Sequence, residues 1–307
     1  MTQHVAVLMG GLAAEREVSL RSGEACAKAL EAQGFRVSRL DVGRDVAQRL
    51  AELKPDVAFN ALHGRYGEDG AIQGVLEILR IPYTHSGVLA SALAMKKDRA
   101  KDVLEAAGVP VAEGVTLHRL EAAKAHAMAP PYVVKPLGEG SSFGVMIVRA
   151  DQAHPPQELC AADWAYGDLV LVERYAPGRE LTCAVIGDKA YGVTEIRAAG
   201  GGWYDYDAKY APGGSVHILP ANLKEFVYQN VQRLALVAHR ALGCRGVSRT
   251  DFRYDDAPSA GDRLVVLEVN TQPGMTETSL APEIAAHAGL SFGELVRWMV
   301  EDASCDR

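Results

Sequence analysis

Residues 135–145 read KPLGEGSSFGV. Lys135 closes a short apolar run, PYVV at 131–134; Gly138, Gly140 and Gly144 follow with Ser141 and Ser142, and apolar character then returns. Glycine and serine leave backbone N–H groups uncovered, and a concave row of such groups binds phosphate oxygens. The familiar nucleoside-triphosphate loop, GxxxxGK[ST], places its lysine after the glycines and opens a helix. Here the lysine comes first, no Gly-Lys pair occurs anywhere in the chain, and the next segment reads as a strand. The stretch is therefore a turn between two strands: either a hairpin that covers phosphate or a plain flexible connection.

Outward from this point the chain divides into unlike parts. HVAVLM (4–9) reads as a buried strand that ends at Gly10 and Gly11, and a helical pattern runs to about residue 33. FRVSRLDV reads as a second strand, residues 44–53 as a helix, and DVAFNALHG as a third strand. Strand, glycine turn, helix, strand is the pattern of a parallel sheet with crossover helices. Sites in such sheets lie at the carboxyl ends of strands, where GGLAAERE and HGRYGEDG stand in this chain. A helical stretch over 88–107 stops at Gly108 and Pro110. Short strands mixed with the opening loop occupy 111–175; from 179 onward strands dominate, with RELTCAVIG and KAYGVTEIR. After a glycine- and tyrosine-rich loop (199–214) come a helix over 222–242, the strands GVSRTDFRY and RLVVLEVN joined by DDAPSAGD, and a helical C-terminus. The expected fold class is α/β (α+β) in three parts: 1–95, a Rossmann-like parallel-sheet domain; 96–178, a central part; and 179–307, a C-terminal part.

Composition narrows the function. The 307 residues carry a formal charge of −7 and no basic run, which argues against a nucleic-acid partner. No apolar stretch approaches bilayer length, so no membrane partner is expected. MTQHVAVLMGG has no basic n-region and runs straight into a strand, unlike a signal peptide. The five cysteines are scattered and form no CxxC pair, which suits reduced thiols in the cytoplasm rather than disulfides or zinc.

The two late strands carry the strongest chemistry. Side chains two apart in a strand share a face, so Arg249 and Asp251 point one way, as do Glu268 and Asn270. An antiparallel hairpin would bring the two polar faces together. Two carboxylates and an amide oxygen form a hard oxygen set suited to Mg²⁺ with water and phosphate. Zinc would call for histidine or cysteine. A solvated face with scattered charges is the plainer alternative. Other candidates are weak singly: Glu15 and Glu17 suit the positive end of a helix, His63 a hydrogen-bonded loop, Glu173 and Glu180 strand-end charges, and Lys209 and Tyr210 a surface loop.

Taken together, GGLAAEREVSL, ALHGRYGEDG, the lysine at 97, VVKPLGEGSSFGV, VERYAPGRELTCAV, WYDYDAKY, SRTDF and LEVNTQPGMTETSL make the chain resemble the D-alanine–D-alanine ligases of the ATP-grasp superfamily over nearly its whole length. The resemblance implies a two-part ATP-grasp fold behind the N-terminal domain. It implies an enzyme that joins two D-alanines through a D-alanyl phosphate for peptidoglycan synthesis, with ATP as substrate, two Mg²⁺ ions (or Mn²⁺) and a homodimeric state. Lys97 and Lys135 would hold ATP phosphates under the backbone of the opening loop with Ser141 and Ser142. Glu173 and Glu180 would meet the adenine side and the ribose, with the backbone of Arg174, Tyr175 and Ala176 lining the adenine slot. Asp251, Glu268 and Asn270 would hold metal. Arg249 and the Gly274 N–H would stabilise the oxyanion. Glu15 would bind the first substrate's ammonium, with His63 nearby. Ser279 and Leu280 would bind the second substrate's carboxylate, and Tyr210, with Lys209, would close the site with Ser141 and Glu15. Lys96 stands where the family often has aspartate, which leaves Lys96 and Lys97 as alternatives for the phosphate lysine. Gln272 stands where serine or leucine is common, a change expected to matter little. Rival readings are a ligase that takes D-lactate, an ATP-grasp ligase for another amino acid, and a nucleotide-binding protein without catalysis.

Overall fold

The computed structural model describes residues 2–198 and 214–307. Strands β1 (His4–Met9), β2 (Arg36–Asp41) and β3 (Val57–Asn60) form a parallel sheet in the order β2-β1-β3. Every residue of β1 is buried, as expected for a central strand covered on both faces. On one face pack α1 (Arg16–Ala32), through Cys26, Ala27 and Leu30, and the late helices α8 (Leu280–His287) and α9 (Phe292–Asp302), through Ile284, Leu295 and Met299. The other face is closed by α2 (Val46–Leu53) and α3 (Ala71–Ile78), through Leu50, Ile72 and Leu76. Gly10 ends β1 at φ 74°, and a Cβ there would sit 2.3 Å from Asp41 Oδ1, so the turn that aims Glu15 at the sheet's end requires glycine.

The helical stretch over 88–107 is two helices, α4 (Val88–Met95) and α5 (Lys97–Ala106), broken at Lys96, which is extended at φ −94° and ψ 96°. Helix α3 gives no clear signal in the sequence because it spans only eight residues, follows directly on the glycine-rich HGRYGEDG loop and carries Gly74 within it.

Strands β4 (Gly114–His118), β5 (Tyr132–Pro136), β6 (Met146–Val148) and β7 (Leu169–Arg174) form an antiparallel sheet in the order β4-β7-β5-β6. A short helix α6 (Arg119–Ala122) and a 3₁₀ turn (Gln157–Cys160) cap its core around Tyr132, Leu159 and Val172. β5 and β6 pair antiparallel through Tyr132↔Val148, Val133↔Ile147 and Val134↔Met146, so the glycine-serine stretch is the tip of a hairpin, as its sequence predicts.

The third sheet is antiparallel in the order β10-β9-β8-β11-β12, built from β8 (Arg179–Ile186), β9 (Lys189–Ala198), β10 (Ser215–Ile218), β11 (Val247–Asp255) and β12 (Arg263–Asn270). Helix α7 (Glu225–Ala241) lays Val227, Val231, Leu234 and Ala238 on it, at the spacing seen in the sequence. Ala90, Ala100 and Leu104 of α4 and α5 belong to the same core, so these helices pack on the late strands. Among the described residues no helix is long and apolar enough to cross a membrane.

Candidate active site

The β11–β12 register places Arg249 opposite Asn270 and Asp251 opposite Glu268. The two polar faces meet as the alternation predicts. Like charges directly opposite on a sheet destabilise it, so the Asp251–Glu268 pair calls for a positive partner. Arg249 now supplies one: its Nε and Nη2 donate to Asp251 Oδ1 and Oδ2 at 2.9 and 2.7 Å. Thr182 Oγ1 donates to the same carboxylate at 2.6 Å from the neighbouring strand β8. Asn270 Oδ1 accepts from the Gln272 N–H at 2.8 Å. Among the described residues no cluster of three or more His, Cys, Asp or Glu side chains suits a metal ion. The set here is two carboxylates and an amide, and neighbours orient Asp251 and Asn270, as is common for metal ligands. This donor set fits a hard divalent cation that also takes oxygens from a phosphate.

A cavity of about 390 Å³ opens over this hairpin and collects residues from every part of the fold. Arg249, Glu268, Asn270, Gly274, Ser279 and Leu280 line it from the late strands and α8; Glu15 and His63 come from the connections after β1 and β3; Lys97 and Ser141 come from α5 and the hairpin tip. A smaller space of about 40 Å³ adjoins it, lined by Lys97, Lys135, Ser142, Glu180, Asp251 and Glu268. Beyond Glu180 lies a wider cavity of about 900 Å³ lined by Tyr175, Ile147, Ile196 and Arg253. The three share walls: Lys97 and Glu268 line the first two, and Glu180 the last two.

Glu15 is 4% exposed. Burial, and then the nearby Glu68, raise its pKa above the ordinary carboxylate value, more than His63 lowers it. His63 is fixed on both ring nitrogens, to Ser22 Oγ at 3.2 Å and Glu68 Oε1 at 3.1 Å. The hairpin tip turns through Ser141 (φ 51°) and Ser142 (φ 62°), conformations that non-glycine residues seldom adopt and that cluster at functional sites.

Of the two adjacent lysines, Lys97 lines both inner cavities, and its Nζ donates to the Glu139 carbonyl of the hairpin tip at 2.5 Å. Lys96 lines none of the three; a Cβ added at Gly138 would lie 3.1 Å from its Nζ. Glu173 stands behind Lys135. Its Oε1 accepts from Lys135 at 2.5 Å and its Oε2 from Lys101 at 2.5 Å. Burial alone would raise this carboxylate's pKa; Lys135 and Lys101 outweigh burial and hold it below the ordinary value. Arg174 turns outward to Glu113 at 3.5 Å. The Ala176 carbonyl accepts from Arg253 Nε at 3.1 Å, and Arg253 also reaches Glu180 at 3.3 Å. Lys209 and Tyr210 lie outside the described residues.

Sequence reasoning missed several members of this site. Lys101 lies four residues after Lys97 on the same helical face, a spacing that could have revealed it. Thr182 is in phase on β8, and Glu68 sits within the quoted loop motif. Gln272 corrects an expectation: it is 1% exposed, its Nε2 donates to the Asn60 carbonyl at 2.6 Å, and its Oε1 accepts from Asn60 Nδ2 at 3.2 Å. The glutamine therefore fastens the end of β3 to the segment after β12.

Comparisons with known proteins identify the chain's relatives. Residues 103–301 match the family described as D-ala D-ala ligase C-terminus, and residues 40–86 match D-ala D-ala ligase N-terminus. A D-alanine--D-alanine ligase of Methylocella silvestris is 85% identical over 307 residues, and one of Beijerinckia indica 75% identical, each covering all of both chains. Among solved structures, the D-alanine--D-alanine ligase of Bacillus anthracis complexed with ATP superposes with a TM-score of 0.82 at 28% identity, covering 98% of this chain and 97% of that one. The same enzyme in a second crystal structure gives a TM-score of 0.79 at 30% identity. With its ATP-grasp architecture and full-length likeness, the chain belongs to the D-alanine–D-alanine ligase family.

Proposed function

We propose that the protein joins two D-alanines to D-alanyl-D-alanine at the expense of ATP, for peptidoglycan synthesis. The observation that carries the reading is the single cavity in which Glu15, Arg249, Glu268 and Ser279 meet. It offers an acceptor for an ammonium, donors for a developing oxyanion, carboxylates for a cation and a hydroxyl for a carboxylate.

In this reading Lys97 and Lys135 hold the ATP phosphates. The hairpin tip covers them, its N–H groups turned by the left-handed Ser141 and Ser142. Glu180 and the backbone around Tyr175 face the nucleoside. Glu173 acts on it indirectly, by fixing Lys135. Asp251, Glu268 and Asn270 are the residues that would hold two Mg²⁺ ions, which when bound neutralise charge on the transferring phosphoryl group. Glu15 takes the ammonium of the first D-alanine and directs its carboxylate to the γ-phosphate. ADP leaves and an acyl phosphate forms. The amine of the second D-alanine attacks the acyl carbon, the oxyanion is met by Arg249 and the Gly274 N–H, and inorganic phosphate departs. Preorganised donors at such an oxyanion contribute about a hundredfold or more in rate. Acyl phosphates hydrolyse readily, so the hairpin must also exclude water.

The chain divides into working units near residues 95 and 178, the first carrying Glu15, the second the phosphate cover, the third the metal set. The working form is a homodimer. Ile78, Val88 and Leu89 support this: they remain 84%, 39% and 69% exposed on the neighbouring α3 and α4, and sedimentation would test it. The compartment is the cytoplasm, in keeping with five unpaired cysteines. The test of the main reading is phosphate release from ATP with D-alanine, D-lactate or neither, with identification of the product. Release that depends on D-alanine, with dipeptide formed, upholds it. Depsipeptide as the main product, or release indifferent to D-alanine, overturns it.

A further inference from the structure

His217 lies on the wall of the main cavity with Arg249, Ser279 and Leu280. It sits on the edge strand β10, where its cross-strand partner is Ile196 of β9. Ile196 in turn packs against Leu280, so the pairing seats His217 beside the start of α8. Its Nδ1 is 2.7 Å from Glu283 Oε2, and its Nε2 is 3.3 Å from Ser215 Oγ. Glu283 belongs to the first turn of α8, and its N–H donates to the Ser279 carbonyl at 2.9 Å. One helical turn thus carries both the hydroxyl at the cavity and the carboxylate that orients the imidazole. The ring is 21% exposed and Glu283 35% exposed, open enough to meet a ligand and covered enough to be held.

We propose that His217, oriented by Glu283, is a specificity-determining residue for the second D-alanine: its Nε2 edge donates to that substrate's carboxylate beside Ser279. The inference rests on the ligase reading above. A protonated imidazole donates at both nitrogens, so Nδ1 can keep Glu283 while Nε2 exchanges the long Ser215 contact for an anion. Hydrogen bonds of this charge-assisted kind are shorter and stronger than neutral ones. Glu283 acts through the ring as a positioning residue. The same cavity is also lined by Arg249, which is engaged with Asp251, and by Glu268, Arg21, Glu15, Glu68, Lys97 and Glu139. On β9, Glu195 is turned away to Arg179 and Arg197.

The test sets D-alanine against D-alaninamide as second substrate, with ATP and both amines present. The two products draw on the same acyl phosphate, so their ratio reads the second subsite and is blind to ATP binding and the first step. His217→Phe should move the ratio about tenfold toward the amide, the loss expected for one charge-assisted hydrogen bond. Glu283→Gln should move it the same way by less, with the melting temperature near that of the wild type. Because Glu283 is partly exposed, that variant carries the test alone if the histidine variant folds poorly. An unchanged ratio in either folded variant overturns the proposal. Failure of the wild type to make either product overturns instead the ligase reading beneath it.

Discussion

Glu173 holds Lys135 and Lys101 at once, one on each oxygen, at 2.5 Å. All three side chains are between 4% and 12% exposed. Removing one member of such a buried group typically costs about 3–5 kcal/mol. Glu173→Gln keeps the shape and removes the charge that both lysines need. Urea unfolding should show a loss of that order, and the Michaelis constant for ATP should rise as Lys135 loses its anchor. The pH dependence has a definite sign. The folded carboxylate is depressed, so its stabilisation is complete above the ordinary value of 4.5 and drains as pH falls through the lower folded value. The stability gap between wild type and variant should therefore narrow below about pH 4.5. A gap that stays constant with pH would assign it to packing instead.

Glu15 has the opposite sign. Its folded pKa is raised, chiefly by burial, so its charged form costs stability at neutral pH, and the cost vanishes below the ordinary value. Glu15→Gln should melt higher than wild type at pH 7, with the gain fading toward pH 4.5. The Michaelis constant for the first D-alanine should rise while calorimetric ATP binding is kept. Lost ATP binding would mean that Glu15 holds structure rather than substrate.

Gly64 stands at φ 67°, and a Cβ there would lie 2.4 Å from Glu15 Oε2. Gly64→Ala must therefore displace the glutamate and also strain a left-handed backbone, by about 1 kcal/mol. The kinetic effect should resemble that of Glu15→Gln, with a raised constant for the first D-alanine and little change for ATP. Stability should fall, whereas Glu15→Gln raises it. Steady-state kinetics with thermal melting separates the two variants.

Glu268 faces Asp251 across the hairpin and lines both inner cavities. Glu268→Gln should reduce ligation by more than about a hundredfold, beyond the loss typical for partners one step removed from a metal. The ligand-free protein should melt at or above the wild-type temperature, because the cross-strand repulsion with Asp251 is relieved. Near-normal dipeptide synthesis would remove Glu268 from the metal set.

How much of this was legible in the sequence depended on the range of the signal. The Arg249–Asp251 and Glu268–Asn270 faces followed from alternation within single strands, and the hairpin tip from its glycines. Both are local. The break at Lys96 was hidden because no glycine or proline marks it: the helix-forming run VLASALAM leads straight into KKDRAKDVLEA. Gln272 looked neutral because its partner, Asn60, is 212 residues away. The Lys101–Glu173 pair likewise joins a helix to a strand across 72 residues. Long-range polar contacts leave no period in the chain, so periodicity cannot reveal them.

The first sheet has one face closed by its near neighbours, Leu50, Leu76 and Tyr83 among them, and another shared between α1 and the late residues Ile284, Leu295 and Met299. Phe59 and Leu295 are 236 positions apart. At about 5–20 residues per second, a ribosome needs on the order of ten to fifty seconds to travel between them. Throughout that interval the strands carrying Val5, Val7 and Phe59 have been made, while the late part of the cover on one face has yet to be translated. The sheet that carries Glu15 is thus an early client for whatever shields nascent chains, and its completion is among the last events of the protein's synthesis.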